Sequence, residues 1–415
     1  MDNDMNQAVS FLRKGIAPGN RELLKELSVG IDFIMDFWKD NYLNDYICNG
    51  GSKIKFITGR SGSGKTHFLQ LLSVEAETLG YIPVSLSAKE VWLHDFKDIY
   101  VTILKRIGLM DRLKLIGFEV IRQLGYDPLL IPDDLTFVDY LSGIGQLGPV
   151  TKREIRQQLE HVFLSDPLID NNFAYACSLL TGGLLGHPVL EEPNKNLLLL
   201  WLEGDREAHL SSVRRLGLSP NRISRYNARH MLRSLVEICK MAGYKGLVVS
   251  IDDMEILVSK DNAEDIHYTR MKREDSYESI RELIDEIDTL RNIMFVFSFD
   301  RKLIDDDING LKSYQALWMR IQNEVESTHF NRFTDIVDLD LLIEEVYTPE
   351  ILMEMSSRLA KVLNRLDTEA VPIDLDTAQS LHAKSQYGKI SLPRQVNLST
   401  LHEGVENQWI MKHKE

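Results

Sequence analysis

Lys53-Ile54-Lys55-Phe56-Ile57-Thr58-Gly59-Arg60-Ser61-Gly62-Ser63-Gly64-Lys65-Thr66-His67-Phe68-Leu69 is the stretch that decides how the rest of the chain is read. Ile54, Phe56, Ile57 and Thr58, β-branched or aromatic, predict a strand. Glycines and small polar residues fill Gly59 to Gly64, and an apolar helical pattern follows at Phe68, Leu69, Leu71 and Leu72. Strand, glycine-rich loop and helix, with the G-x-x-x-x-G-K-[ST] spacing intact, is the order a P-loop requires. The glycines let successive backbone N–H groups curl around a polyphosphate. The expected nucleotide-binding set is therefore Gly59, Ser61, Gly62, Ser63, Gly64, Lys65, Thr66 and His67. Lys65 can reach the β- and γ-phosphates of ATP, Thr66 can ligate Mg²⁺, and the helix N-terminus adds partial positive charge.

Outward from this stretch, Tyr81 to Leu86 reads as a second strand after the stop at Gly80, and Pro83 suits a sheet edge. Gly246-Leu247-Val248-Val249-Ser250-Ile251-Asp252-Asp253-Met254-Glu255 holds an uninterrupted apolar run, as in a strand buried on both faces of a parallel sheet. Ile293 to Phe299 and Ile336 to Leu339 complete five strands separated by helices, the signature of a doubly wound α/β layer. About 185 residues separate Thr66 from Asp252, well beyond what a minimal βαβαβ path needs. A mainly helical insertion is expected at about 106–218, where prolines separate helical pieces. Residues 1–50 read as an N-terminal helical segment, 51–342 as the core, and 343–415 as an all-helical C-terminal unit opened by Thr348-Pro349.

Asp252, ending the apolar strand, is expected to hold Mg²⁺ with Thr66, and Asp253 or Glu255 to orient and deprotonate an attacking water. At the end of the Ile293 strand, Ser298 is expected to face the γ-phosphate, because this edge of a parallel sheet opens on the ligand crevice. Among the arginines, Arg394 is expected to sense nucleotide in cis from the C-terminal unit, and Arg320 or Arg332 to reach a neighbouring subunit. Ser219-Pro220 predicts a helix start and Gly243 its end, which would place Arg222, Arg225, Arg229 and Arg233 in one stripe. That stripe is the expected contact for duplex DNA or a protein partner. No aromatic ladder accompanies it, and Tyr226 stands alone.

The 415 residues carry a net charge of −14, which argues against a broadly basic coat but allows a local basic patch. With 44% hydrophobic and 27% charged residues the composition is that of a soluble globular chain, ample for two or three domains. No apolar run approaches a membrane span, and the polar, acidic start is no signal peptide, so a cytoplasmic location is expected. Cys48, Cys177 and Cys239 have no paired spacing, and His230 and His267 lack metal-ligand spacing.

In its P-loop, acidic strand end, polar strand and arginine-bearing C-terminal unit, the chain resembles AAA+ ATPases of the origin-recognition and initiator-loader type. It is more similar to the BREX-system ATP-binding proteins of bacterial phage defence, the BrxD-like group. The start Phe11 to Ile16, the P-loop, Ala242 to Val249 and Gly310 to Arg320 carry this resemblance. It implies a five-stranded AAA+ core with a C-terminal lid, ATP and Mg²⁺, self-association, and work beside other defence-system proteins. One departure is that the acidic pair, usually Asp-Glu, is here Asp252-Asp253, which predicts slow turnover or a base role for Glu255. The alternative function is a scaffold locked by bound nucleotide, with little hydrolysis.

Overall fold

The structure, a computed structural model, describes residues 20–259, 266–322, 334–366, 368–387 and 391–401. The expected motif at Phe11 to Ile16 and Arg332 lie outside the described residues. The chain opens with α1 (Arg21–Leu27), α2 (Asp32–Trp38) and a π-helical segment (Lys39–Ile47), then enters β1 (Ser52–Gly59) and α3 (Lys65–Thr78). After β2 (Ile82–Ser87) come α4 (Phe96–Ile107), α5 (Leu109–Gln123), α6 (Phe137–Gly143), α7 (Pro149–Leu164), α8 (Asn171–Leu185), α9 (Glu192–Leu202), α10 (Leu210–Arg215) and α11 (Ala228–Met241). Next follow β3 (Leu247–Asp252), α12 (Arg270–Glu286), β4 (Ile293–Asp300), α13 (Lys302–Asp305), α14 (Gln315–Ile321) and β5 (Ile336–Asp338). The C-terminal unit consists of α15 (Leu339–Val346), α16 (Pro349–Arg365), α17 (Leu375–Tyr387) and α18 (Leu392–Thr400).

All five strands are parallel, in the order β2-β3-β4-β1-β5. Pro83, which cannot donate to a ladder, sits on the edge strand β2. The inner strands β3 and β4 are buried along almost their whole length, which explains their unbroken apolar sequences. Alternation along each strand divides the core between two faces. Ile57, Val248, Met294, Val296 and Val337 meet α3 through Phe68, Leu69 and Leu72, and meet the N-terminal helices through Ile34, Met35 and Trp38. Trp38 meets Phe68 edge-on at 5.1 Å. On the opposite face Phe56 stacks on Phe297 at 5.4 Å, and Phe295 and Val249 join them under the long helical region. Burying each such phenylalanine contributes roughly 1.5–3 kcal/mol.

The helix expected from Ser219 begins only at Ala228. The chain before it is irregular and closes in a turn at 225–227, because tertiary contacts outcompete the local cap. Leu218 and Ile223 are buried, Trp201 Nε1 donates to the Asn221 carbonyl at 3.0 Å, and Asn227 Oδ1 accepts from Ser224 N at 2.7 Å. Asn227 Nδ2 closes the turn on the Arg222 carbonyl at 3.2 Å. The expected stripe of four arginines on one helix is thereby corrected: Arg222 and Arg225 lie in this loop, and only Arg229 and Arg233 are helical.

Candidate functional site

Strand β1 delivers the chain to the sheet's C-terminal edge, where residues 60–64 turn back into α3. Gly64, preceding the helix, has φ 96°, and Gly62 has φ 85°, both in the left-handed region that glycine tolerates. Lys65 Nζ donates to the carbonyls of Gly59 at 2.7 Å and Arg60 at 3.1 Å, which holds its ammonium inside the loop. The next residue, Thr66, donates its hydroxyl to Asp252 Oδ2 at 2.8 Å. Since β4 lies between β1 and β3, this bond joins two strand ends across a third, at the position where parallel sheets bind ligands. Asp340, on the first turn of α15, fixes the other flank by accepting from Arg60 N at 3.1 Å.

A cavity of about 510 Å³ opens at this edge. Ser61, Gly62, Ser63, Gly64, Lys65, Thr66 and His67 line it with Asp252, Asp253, Glu255 and Asp300, so its mouth is polar. Its other wall is apolar, made by Val29 and Ile31 from the bend between α1 and α2, by Tyr347, and by Leu359 and Val396 of the C-terminal unit. Tyr347 donates to the Val29 carbonyl at 3.3 Å, tying the two halves of that wall together. Such a cavity is chemically divided: one half suits phosphates and a cation, the other a flat apolar ring. His67 shares a 2.8 Å hydrogen bond with Ser28 Oγ, and desolvation pulls its pKa down to about 4, so it stays neutral near pH 7.

The three acids after β3 part ways. Asp252 continues the strand and meets Thr66. Asp253 adopts φ 63°, and its carboxylate accepts from Ser87 Oγ at 2.7 Å and from Lys89 Nζ at 3.0 Å. Two groups leaving the end of β2 therefore hold it. Glu255, on the short 3₁₀ turn that follows, reaches back and accepts from Asp300 N at 3.0 Å. Burial pushes its carboxyl above the usual range and the Asp253 charge adds to this, while the Asp300 N–H and the Lys65 ammonium oppose it. A cavity-facing carboxyl with a raised pKa is a stronger base than a free glutamate, which suits it to accept a proton. For a cation, the Thr66 hydroxyl and the Asp252 carboxylate form a hard oxygen pair of the kind that would hold Mg²⁺. No group of three or more His, Cys, Asp or Glu side chains able to hold a metal occurs among the described residues.

Other expected residues fall in and out of this site. Ser298 does not line the cavity. It pairs with Ile57 inside the sheet, fully buried, and the position that reaches the edge is Asp300, opposite Gly59. Gly59 contributes its carbonyl and does not line the cavity. Arg394 lines it from α18, and a β-carbon added at Gly62 would stand 3.2 Å from the Arg394 β-carbon. Arg320 is outside the cavity and holds Asp285 through two nitrogens at 2.5 and 2.9 Å. Arg229 pairs with Glu282 at 2.7 Å and lies over the Phe96 ring, with 12% of its side chain exposed. Arg233 donates to the Leu168 carbonyl at 3.0 Å. These two brace the interior, whereas Arg222 and Arg225 are exposed.

Sequence reasoning missed Ser87, Lys89, Asp340 and the apolar wall, and it set Ser298 ahead of Asp300 at the same strand end. Asp300 had a signal, its place as the last residue of an apolar run. Lys89 had none, since nothing local ties it to an acid on another strand. A family model described as "BREX system ATP-binding protein BrxC/D" matches residues 2–131 and 144–394, most of the chain. No curated protein and no solved structure matches. No helix among the described residues is long and apolar enough to cross a membrane.

Proposed function

The chain belongs to the BREX system ATP-binding protein BrxC/D family, and from that premise we propose that it is an AAA+-like ATPase that binds ATP with Mg²⁺ at the Gly59–Thr66 loop. The observation that carries the reading is the 2.8 Å bond between Thr66 and Asp252, which brings the two expected cation ligands into contact at the mouth of the cavity. Mg²⁺, when bound, supplies positive charge to the β- and γ-phosphate oxygens. The loop N–H groups and Lys65 grip the phosphates, and the apolar wall of Val29, Ile31, Tyr347 and Val396 receives the adenine. Glu255, aimed by Asp300 N, takes the proton of the attacking water. Asp253 serves less directly, because Ser87 and Lys89 occupy its oxygens. Residues 343–415 act as a lid over the base, with Arg394 reaching the phosphates.

In this reading nucleotide state drives self-assembly, with contact to DNA and to other defence-system proteins in the cytoplasm. Arg320 can act on a neighbouring subunit's γ-phosphate only by giving up Asp285. Turnover of Arg320→Ala against protein concentration tests this, and unchanged activity at every concentration removes the role. A second reading, a scaffold locked by nucleotide, is favoured by the engaged Asp253 carboxylate. Steady-state phosphate release and nucleotide affinity of Lys65→Ala, Asp253→Ala and Glu255→Gln discriminate the two. ATP binding with no release in the wild type selects the scaffold, and no binding in the wild type sinks both.

A further inference from the structure

Tyr226 is 81% exposed, an unusual position for a large aromatic ring. The Arg225 guanidinium lies over that ring at 4.9 Å and donates to its hydroxyl at 2.8 Å. The backbone beneath is rigidly held: Asn221 by Trp201, Ser224 by Asn227, and Ile223 by burial. A loop with a fixed backbone and an exposed ring presents a recognition surface, because nothing internal needs that ring outside.

Two other segments extend the surface. A β-carbon at Gly204 would stand 3.1 Å from the Ile223 carbonyl oxygen, so the turn bearing exposed Arg206 packs beside Arg222. On the other side lies His94, whose ring is within electrostatic reach of Arg225, Lys272, Asp95 and Asp275. Trp92 meets His94 edge-on at 5.0 Å, and Lys272 Nζ sits 3.6 Å above the Trp92 ring. Arg206, Arg222 and Arg225 make no ion pair with a carboxylate of the described residues. Cations and aromatic rings thus share one band, with Asp95 and Asp275 within electrostatic reach of Arg225 and with Asp205 and Glu207 flanking Arg206.

We propose that this band, from Arg206 through Arg222, Arg225 and Tyr226 to Trp92 and Lys272, binds single-stranded nucleic acid. The inference rests on the reading of a nucleic-acid role and narrows it from duplex to unpaired strand. Phosphates repeat beside bases along a single strand, as the guanidinium groups repeat beside rings here, and stacking on an exposed ring needs a base face that a duplex hides. An acidic peptide would satisfy the arginines and leave Tyr226 without a purpose.

The test is fluorescence anisotropy with a labelled oligothymidine of about 20 nucleotides, long enough to cover one such groove, and with a matched duplex. The proteins are wild type, Tyr226→Ala, Tyr226→Phe and Arg222→Glu/Arg225→Glu, each checked for unchanged nucleotide binding. The expected result is tighter binding of the single strand and about a tenfold loss in Tyr226→Ala. Tyr226→Phe retains binding, and the double charge reversal flattens the salt dependence. Duplex bound as tightly as single strand, with Tyr226→Ala neutral, overturns the inference and leaves the broader reading standing. No binding of either nucleic acid by the wild type overturns both.

Discussion

The glycine loop and the arginine-bearing loop at 221–227 each gather positive charge at the surface of one acidic chain, but they are built differently. Residues 59–66 are consecutive, so covalent geometry alone brings Lys65 beside the Gly59 and Arg60 carbonyls and leaves Thr66 free for Asp252. Arg222, Arg225, Arg229 and Arg233 share a spacing only if they share a helix, and they do not. Tertiary packing turns two of them into braces and two into exposed groups. A motif of neighbours survives folding unchanged, whereas a motif of periodicity depends on the element assumed.

The largest expected effect lies at the glycine loop. Lys65→Ala should weaken ATP binding by about 100-fold, the scale of losing charge-assisted hydrogen bonds to phosphate, with little change in thermal unfolding. Titration with a fluorescent ATP analogue measures it, and near-normal affinity would mean the motif of neighbours had failed. Next comes the pair of acids: Glu255→Gln should lower phosphate release by about 10²-fold or more, Asp253→Asn by only a few-fold. Equal losses would erase the distinction between the carboxylate held by one backbone N–H and the one held by Ser87 and Lys89.

The acid limb of kcat/KM sharpens the same distinction. In the proposed mechanism Glu255 must be ionised to take the proton, so the rate should fall as pH drops through a pKa above the usual glutamate range. Asp253→Asn removes a charge that raises this pKa, and should move the limb to lower pH. For stability the sign is opposite. The folded state holds this proton more tightly than the unfolded chain, so Glu255 favours folding below the unfolded pKa and loses that contribution as pH rises through the folded one.

The smallest effects test the arginines. Arg229→Ala should cost about 1–2 kcal/mol in thermal or urea unfolding, discounted for the partial exposure of Glu282. Arg225→Ala should stay within about 0.5 kcal/mol. Matching values would mean that the stripe had not been divided into braces and exposed groups.

Much of the sheet could be read from the chain. Pro83 marked an edge, the unbroken run Leu247 to Ile251 marked a covered strand, and five strands were expected and found in parallel. Two helices of the long region before β3, at 149–164 and 171–185, and the three C-terminal helices from Pro349 onward likewise followed from the sequence pattern. What escaped depends on register and on distant pairing. Ser298 and Asp300 share a face of β4, and only the alignment of Gly59 with Asp300 decides which one reaches the edge. Lys89 meets Asp253 because Ser87 pairs with Asp252 across two strands far apart in the chain. Tyr226 looked solitary because its partner is the neighbouring Arg225, whose guanidinium covers the ring, and no sequence period marks such a pair.

Gly62 has one further consequence. A methyl group there would come within 2.7 Å of Ser391 Oγ, so two positions more than three hundred residues apart compete for one small volume. The backbone at Gly62 already bars a side chain, so the accommodation falls on position 391, where only a small residue lets the last helix approach the loop.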